Sequence, residues 1–198
     1  GAGAGTATAT INDDDAVQVS VIASAEDETG AGHSGELAFS VSLDNESTQT
    51  VKVGYTTTDG SATSDGDYTA ASGTLTFDPG VTLLEVKVSI YDDGVNECDE
   101  TFSLELTNPI GLSCAGVSLD QGSDTALILD NDAIEISVDQ NLSTLAALED
   151  DWLRFRVTMS TSSQQTVTVT YDTVAGSASM VTGDYVDTGS TGVEGLLV

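Results

Sequence analysis

The sequence predicts an all-β protein built as an antiparallel β-sandwich. Three observations carry that expectation. Apolar and polar residues alternate with a period of two, as in Leu84, Val86, Val88 and Ile90 against Glu85, Lys87 and Ser89, which gives a strand one buried and one solvated face. Helical periodicity is absent throughout. Turn-rich stretches such as Asp59-Gly60 and Asp78-Pro79-Gly80 separate the alternating segments at short intervals, the pattern of a sandwich rather than of βαβ units.

In chain order, strands are expected near 16–23, 36–43, 50–57, 73–77, 84–91, 101–107 and 124–130. The sixth shows the same alternation, Phe102, Leu104 and Leu106 against Ser103 and Glu105. Between the fifth and sixth lies an acidic run with Asp92, Asp93, Glu97, Asp99 and Glu100 and no lysine or arginine. Like charges so close repel one another. Such a loop is either a solvated turn or part of a cage for a hard cation, since Ca²⁺ takes six to eight oxygen ligands from carboxylates and carbonyls.

Internal repetition sets the domain organisation. The segment from Ile11 through Asp13, Asp14 and Asp15 to Ser20 recurs from Leu129 to Ser137, and Val51 to Tyr55 matches Val167 to Tyr171. Gly60-Ser61-Ala62 likewise matches Gly176-Ser177-Ala178, and Gly66-Asp67-Tyr68 matches Gly183-Asp184-Tyr185. Three parts follow: the last strand of a preceding repeat at 1–15, a complete repeat at 16–132, and part of a second at 133–198. A window cut from a longer array, or a half-unit completed by another chain, would each give this pattern.

Composition narrows the function. The net charge is -29, with only Lys52, Lys87, Arg154 and Arg156 positive, so neither nucleic acid nor an anionic membrane surface is expected as partner. No apolar run approaches the roughly 20 residues of a spanning helix, and no membrane insertion is expected. HExxH, GxSxG and phosphate-cradling glycine turns are all missing; the expectation is a protein that is not an enzyme. His33 reads as an exposed turn residue and Trp152 as a packing or interface residue. Cys98 and Cys114 could be bridged only if the loop after the sixth strand folds back, because a disulfide needs Cα atoms within about 7 Å; bridged and free forms stay open. Asn45 and Asn141 head glycosylation triplets.

Strands that simply alternate in direction place the first, third and fifth loops and the end of the seventh strand at one end of the sandwich. Thirteen carboxylates fall there, and only Asp44, Glu46, Asp78 and Asp120 at the other end. A merely soluble acidic surface would not segregate in this way. Asp67 is open between a ligand and a turn-closing role, and Asp99, alternating with Glu100, reads as solvated.

The residues that carry this pattern also resemble a known family. Tyr55 to Ala62, Gly66-Asp67-Tyr68, Ser72 to Phe77, Asp92-Asp93, Asp99 to Phe102 and Asp130-Asn131-Asp132 look like the Calx-beta domain. The resemblance covers 16–132 almost completely and 133–190 in part. It implies an immunoglobulin-like sandwich, in tandem repeats, with clustered Ca²⁺ at the acidic end. Its ligand set falls on Glu28 (Glu26 the fallback), Asp59, Asp92, Asp93, the carbonyl of Val95, Glu97, Glu100, Asp130 and Asp132. Gly94 and Asn131 stand where fully loaded members have aspartate, which implies one or two strong sites. In the partial repeat Ala175 replaces the equivalent of Asp59, and Glu149, Asp150, Asp151 and Asp184 are acids without a cage.

The function expected from these cues is a Ca²⁺-rigidified structural repeat of an extracellular adhesin, matrix or filament protein, at the cell surface. Its partners would be neighbouring repeats of the same or an identical chain and a protein or glycan adhesion ligand. The alternative is a cytosolic Ca²⁺-sensing regulatory module of a membrane transporter. The scarcity of lysine, the glycosylation triplets, the two cysteines and the Thr/Ser/Gly-rich composition favour the first.

Overall fold

A computed structural model describes residues 8–9, 16–28, 35–111, 116–139 and 155–171. The chain divides into two compact units. The first contains the described residues up to Asp92 together with Asp99–Leu129 where described; the second contains Asp93–Cys98 and the described residues from Asp130 onward. No described residue is helical, so no helix among them is long and apolar enough to cross a membrane.

The first unit is the expected antiparallel, immunoglobulin-like β-sandwich. Its strands are β1 Val17–Ala23, β2 Ala25–Asp27, β3 Gly35–Leu43, β4 Val51–Asp59, β5 Ser72–Phe77, β6 Leu83–Ile90, β7 Glu100–Ile110, β8 Val117–Leu119 and β9 Ser123–Leu129. One sheet runs β6-β3-β1-β8 and the other β2-β9-β7-β4-β5. Every pairing is antiparallel except β1 with β8 and β2 with β9, which run parallel.

The seven expected strands are all present, and two short strands, β2 and β8, are added to them. After β1 the chain crosses at Ser24, leaving one sheet and pairing in the other as β2. The Ser24 hydroxyl accepts from the Ala38 N–H at 3.2 Å, and its own N–H donates to the Ala38 carbonyl at 3.1 Å, so the crossing residue stays paired. The seventh strand is preceded by β8, too short to show a period-two pattern. β4 runs two residues further than expected, so Asp59 closes a strand instead of sitting in a loop.

The alternation puts Val19, Val21, Leu37, Phe39, Val41, Phe102 and Leu104 in the core with no exposed surface. Each fully buried side chain of this size contributes about 1.5–3 kcal/mol. Phe102 is the hub. Phe39 meets it edge-on at 5.6 Å from the first sheet, and Tyr68 stacks on it at 4.0 Å.

The second unit contains one described sheet, β10 Ile136–Val138 paired antiparallel with β11 Val157–Met159. Its register copies the first unit. Ile136 faces Met159 and Val138 faces Val157, as Val19 faces Leu43 and Val21 faces Val41.

Candidate metal centre

In the first unit the strands themselves bring carboxylates together. Asp59 is the last residue of β4 and lies opposite Phe102 of β7. Gly60 then turns so close to β7 that a Cβ would sit 2.3 Å from the Thr101 carbonyl oxygen, and only glycine can make that approach. Glu100 opens β7 opposite Ile128. Glu28 follows the end of β2, its N–H donating to the Leu129 carbonyl at 3.1 Å, whereas Glu26 lies inside β2 opposite Ile128. Asp92 follows the end of β6, which is held to the neighbouring turn by the Tyr91 N–H to Asp67 carbonyl bond at 2.9 Å. Glu28, Asp59, Asp92 and Glu100 therefore share the end where β2, β4 and β6 finish and β7 starts.

Asp59 is held from below. Its Oδ1 accepts from the Tyr68 hydroxyl at 2.5 Å and from the Ser64 N–H at 3.0 Å. Burial, then the hydrogen bond to Asp59, push the Tyr68 phenol up to about 12, so it stays a neutral donor. Asp67 closes its own turn: Oδ2 accepts the Thr63 N–H at 2.6 Å and its hydroxyl at 3.0 Å. Asp92 is different. Both of its carboxylate oxygens are sealed from solvent and neither has a hydrogen-bond partner. A buried carboxylate is normally paired, protonated or bound to metal. An all-oxygen donor set of carboxylates suits a hard cation such as Ca²⁺, and the residues present fit one.

The other expected ligands belong to the second unit. The Asp93 carboxylate accepts from the Val95 N–H at 2.8 Å, a tight turn through Gly94, whose φ is +74°. Glycine enters that left-handed region freely, while aspartate does so at a cost; this is a backbone reason for the departure from aspartate there. Asp130 Oδ1 accepts from the Asp132 N–H at 3.3 Å. Asn96, which nothing in the sequence distinguished, is hydrogen-bonded through both ends of its side-chain amide. Its amide donates to Asp130 Oδ2 at 3.1 Å and to the Asp132 carbonyl at 2.7 Å. Gln164 donates through Nε2 to the Glu97 carboxylate, and Thr161 through its hydroxyl to the Gly94 carbonyl. Asp99 is exposed, as expected. Cys98 is a free, exposed thiol whose sulfur accepts from Gln165 Nε2 at 3.0 Å. Cys114, His33, Asn141, Trp152, Ala175, Asp184, Asp13 to Asp15 and Glu149 to Asp151 lie outside the described residues.

A sandwich with carboxylates gathered where its strands end, one of them buried without a donor, defines an acidic β-sandwich module suited to cations. The model of the Calx-beta domain matches residues 12–132 and again 130–191, and the chain belongs to that family, in tandem copies. It is 44% identical over 61 residues to sodium/calcium exchanger 1 of Canis lupus familiaris, covering 31% of this chain and 6% of that protein. It is 41% identical over 75 residues to sodium/calcium exchanger 2 of Homo sapiens, covering 37% and 8%. The chain thus matches only a small part of these curated relatives. Among solved structures it is similar to the apo form of the Calx CBD1 domain, at 29% identity and TM-score 0.52, over 60% of this chain and all of that one. The CBD12 structure from CALX1.2 is similar at 28% and 0.52, over 61% and 49%.

These relatives overturn the extracellular reading. They are named as sodium/calcium exchangers, not as adhesins, matrix proteins or filaments. The cell-surface location and the adhesion ligand are withdrawn with it. The cues behind that reading have local causes. Ser47, the third residue of the Asn45 triplet, is buried, its hydroxyl accepting from the Gln49 N–H and donating to the Gln49 carbonyl. The triplet is a turn motif. Among the described residues Thr56, Thr57 and Thr58 lie within β4, and Gly80 and Gly94 take the positive φ of turn positions.

Proposed function

We propose that this chain is a Ca²⁺-sensing regulatory module of a sodium/calcium-exchanger-like membrane transporter, working on its cytosolic side and without catalytic activity. The observation that carries the reading is Asp92, whose two oxygens are buried with no donor. Membership of the Calx-beta family and the exchanger names of the relatives support it. In this reading Glu28, Asp59, Asp92 and Glu100 are the cation ligands of the first unit. Asp93, the Val95 carbonyl, Glu97, Asp130 and Asp132 are those of the second. Gly94 and Asn131 each leave out a charge, so one or two strong sites are expected. The domain organisation belongs to the same proposal: a final strand of a preceding repeat at 1–15, a complete repeat at 16–132 and a partial one at 133–198, with neighbouring repeats as the main partners.

Bound Ca²⁺ supplies the positive charge that offsets repulsion between these carboxylates. The chain's own residues do the rest. Tyr68 and Ser64 fix one oxygen of Asp59. Gly60 lets the β4 end close against β7, and the turn closed by Asp67 holds the end of β6 on which Asp92 follows.

Isothermal titration of the chelator-stripped chain at physiological salt tests the proposal. A sensor binds with Kd of about 10⁻⁷ to 10⁻⁵ M, whereas extracellular structural modules bind at about 10⁻⁴ to 10⁻³ M. Asp92→Asn is expected to remove the tightest binding event. Binding in the millimolar range, or an unchanged titration of Asp92→Asn, rejects the reading.

A further inference from the structure

The segment 93–98 contains proposed ligands on both sides of a residue that is not one. Asn96 makes five hydrogen bonds, all to residues far along the chain. Besides the two amide bonds to Asp130 and Asp132, its Oδ1 accepts from the Ser163 hydroxyl at 3.1 Å. Its backbone N–H donates to the Ser162 carbonyl at 3.1 Å, and its carbonyl accepts from the Gln164 N–H at 3.1 Å. Asn96 and Ser163 thus form a parallel β-bridge, which the side chain ties a second time.

We propose that Asn96 is a positioning residue for cation binding: it orients Asp130 and the Val95 carbonyl, and its own orientation is set by Ser163. The inference rests on the calcium-sensing reading above.

Three physical points support it. A neutral amide holds a carboxylate oxygen without cancelling its charge, as a lysine in its place would. Asp130 Oδ2 accepts from Asn96 Nδ2, and Oδ1 accepts from the Asp132 N–H. A carboxylate offers about four lone-pair sites, so neither of these bonds by itself uses up the oxygen it reaches. Second, the peptide between Val95 and Asn96 is planar and trans, so its C=O and N–H point opposite ways. With the N–H bound to Ser162, the Val95 carbonyl is turned away from the 160–165 turn. Third, the Asn96 amide has one rotamer that serves Asp130, Asp132 and Ser163 together. The Ser163 hydroxyl on Oδ1 selects the orientation that presents both N–H groups to Asp130 and Asp132. Residues in such outer positions typically change metal affinity by about 10- to 100-fold when removed.

The test uses the whole chain and Ca²⁺ alone as probe. Asn96→Ala is expected to weaken Ca²⁺ about tenfold or more, and Ser163→Ala to weaken it less, in the same direction. The double variant is expected to be no weaker than Asn96→Ala, because Ser163 acts only through Asn96. In the chelated wild-type chain the Asn96 side-chain amide protons should be protected from exchange in NMR spectra, and Ser163→Ala should speed their exchange. If the wild type binds Ca²⁺ and Asn96→Ala stays within twofold of it, this inference fails while the sensor reading stands. Additive effects of the two substitutions also overturn it, as does free exchange of those amide protons; the exchange measurement decides the matter if Asn96→Ala does not fold. A wild type that binds no Ca²⁺ sinks both readings.

Discussion

Ser47 and Ser163 hold the same place in the two repeats, 116 positions apart (163 − 47). Each accepts on its hydroxyl oxygen the N–H of the residue two further on, Gln49 and Gln165, at 3.0 Å. The proton each donates goes elsewhere. Ser47 gives it back to its own turn, to the Gln49 carbonyl, while Ser163 gives it to Asn96, 67 residues away. Local sequence thus builds the turn, and the neighbour that chain topology brings in decides what the turn is for. The strands teach the same thing about burial. Val19 and Phe39 are fully buried, but their sequence equivalents Ile136 and Phe155 are 39% and 55% exposed. The alternation and the pairing register are copied; the covering second sheet is described only in the first unit. A two-stranded sheet is marginal without such cover.

The largest expected effect separates those two environments. Phe102→Ala removes the ring on which Tyr68 stacks and Phe39 abuts, and should cost about 3–5 kcal/mol in urea unfolding. Phe155→Ala, at an exposed position, should stay within about 0.5 kcal/mol. Equal losses would mean that the second unit buries its apolar face as fully as the first.

Asp92→Asn comes next, read by stability instead of titration. A ligand at 100 times its Kd stabilises the folded chain by about 2.7 kcal/mol. The variant should lose that calcium-dependent gain. In chelator it should melt no lower than wild type, since a buried charge without a donor has been removed. A calcium gain that survives the substitution would move the ion away from Asp92.

Tyr68→Phe keeps the stack on Phe102 and deletes only the hydroxyl donated to Asp59. The expected cost is about 1 kcal/mol. The phenol is raised from its ordinary value of 10.0 to about 12, by burial first and Asp59 second. Its contribution is therefore complete below pH 10 and is lost as pH rises toward 12. In chelator, wild-type stability should fall through that window more steeply than the variant's.

Much of the fold was legible because period-two alternation is local. Leu37, Phe39, Val41 and Leu43 announce β3 and its buried face without reference to anything else. The short β2 beyond Ser24 was not legible, because its three residues are defined by pairing with β9, far along the chain. Nor was β8, whose three residues pair with β1 but are too few to show a pattern. In the candidate site the run of acids was legible, since charge is a sequence property; whether those acids take a cation is what the titration decides. Tyr68 and Asn96 were not. One reads as a core aromatic and the other as a spacer, and their roles come from Asp59 and Ser163, which folding brings to them. The location was misread for a related reason: serine, threonine and glycine report turn and strand chemistry before they report compartment.

The smallest effect lies on the outer face of the first sheet, where Lys87 Nζ sits 2.9 Å from Glu36 Oε2 across β3 and β6. The hydrogen bond to Glu36, then its charge, raises the Lys87 ammonium above its usual 10.5. The sign is the ordinary one for a lysine gaining a partner. Its stabilisation is present below pH 10.5 and lost as pH rises through the folded value. Both side chains are more than half exposed, however, and exposed pairs are screened by water and salt and are opposed by side-chain entropy. Lys87→Met should leave the urea midpoint at neutral pH and physiological salt where it was. It makes the net charge -30 (−29 − 1), so any deficit should appear only at low ionic strength, where self-repulsion is strongest. A clear loss at physiological salt would give this one surface pair a weight comparable to the carboxylates gathered at the strand ends.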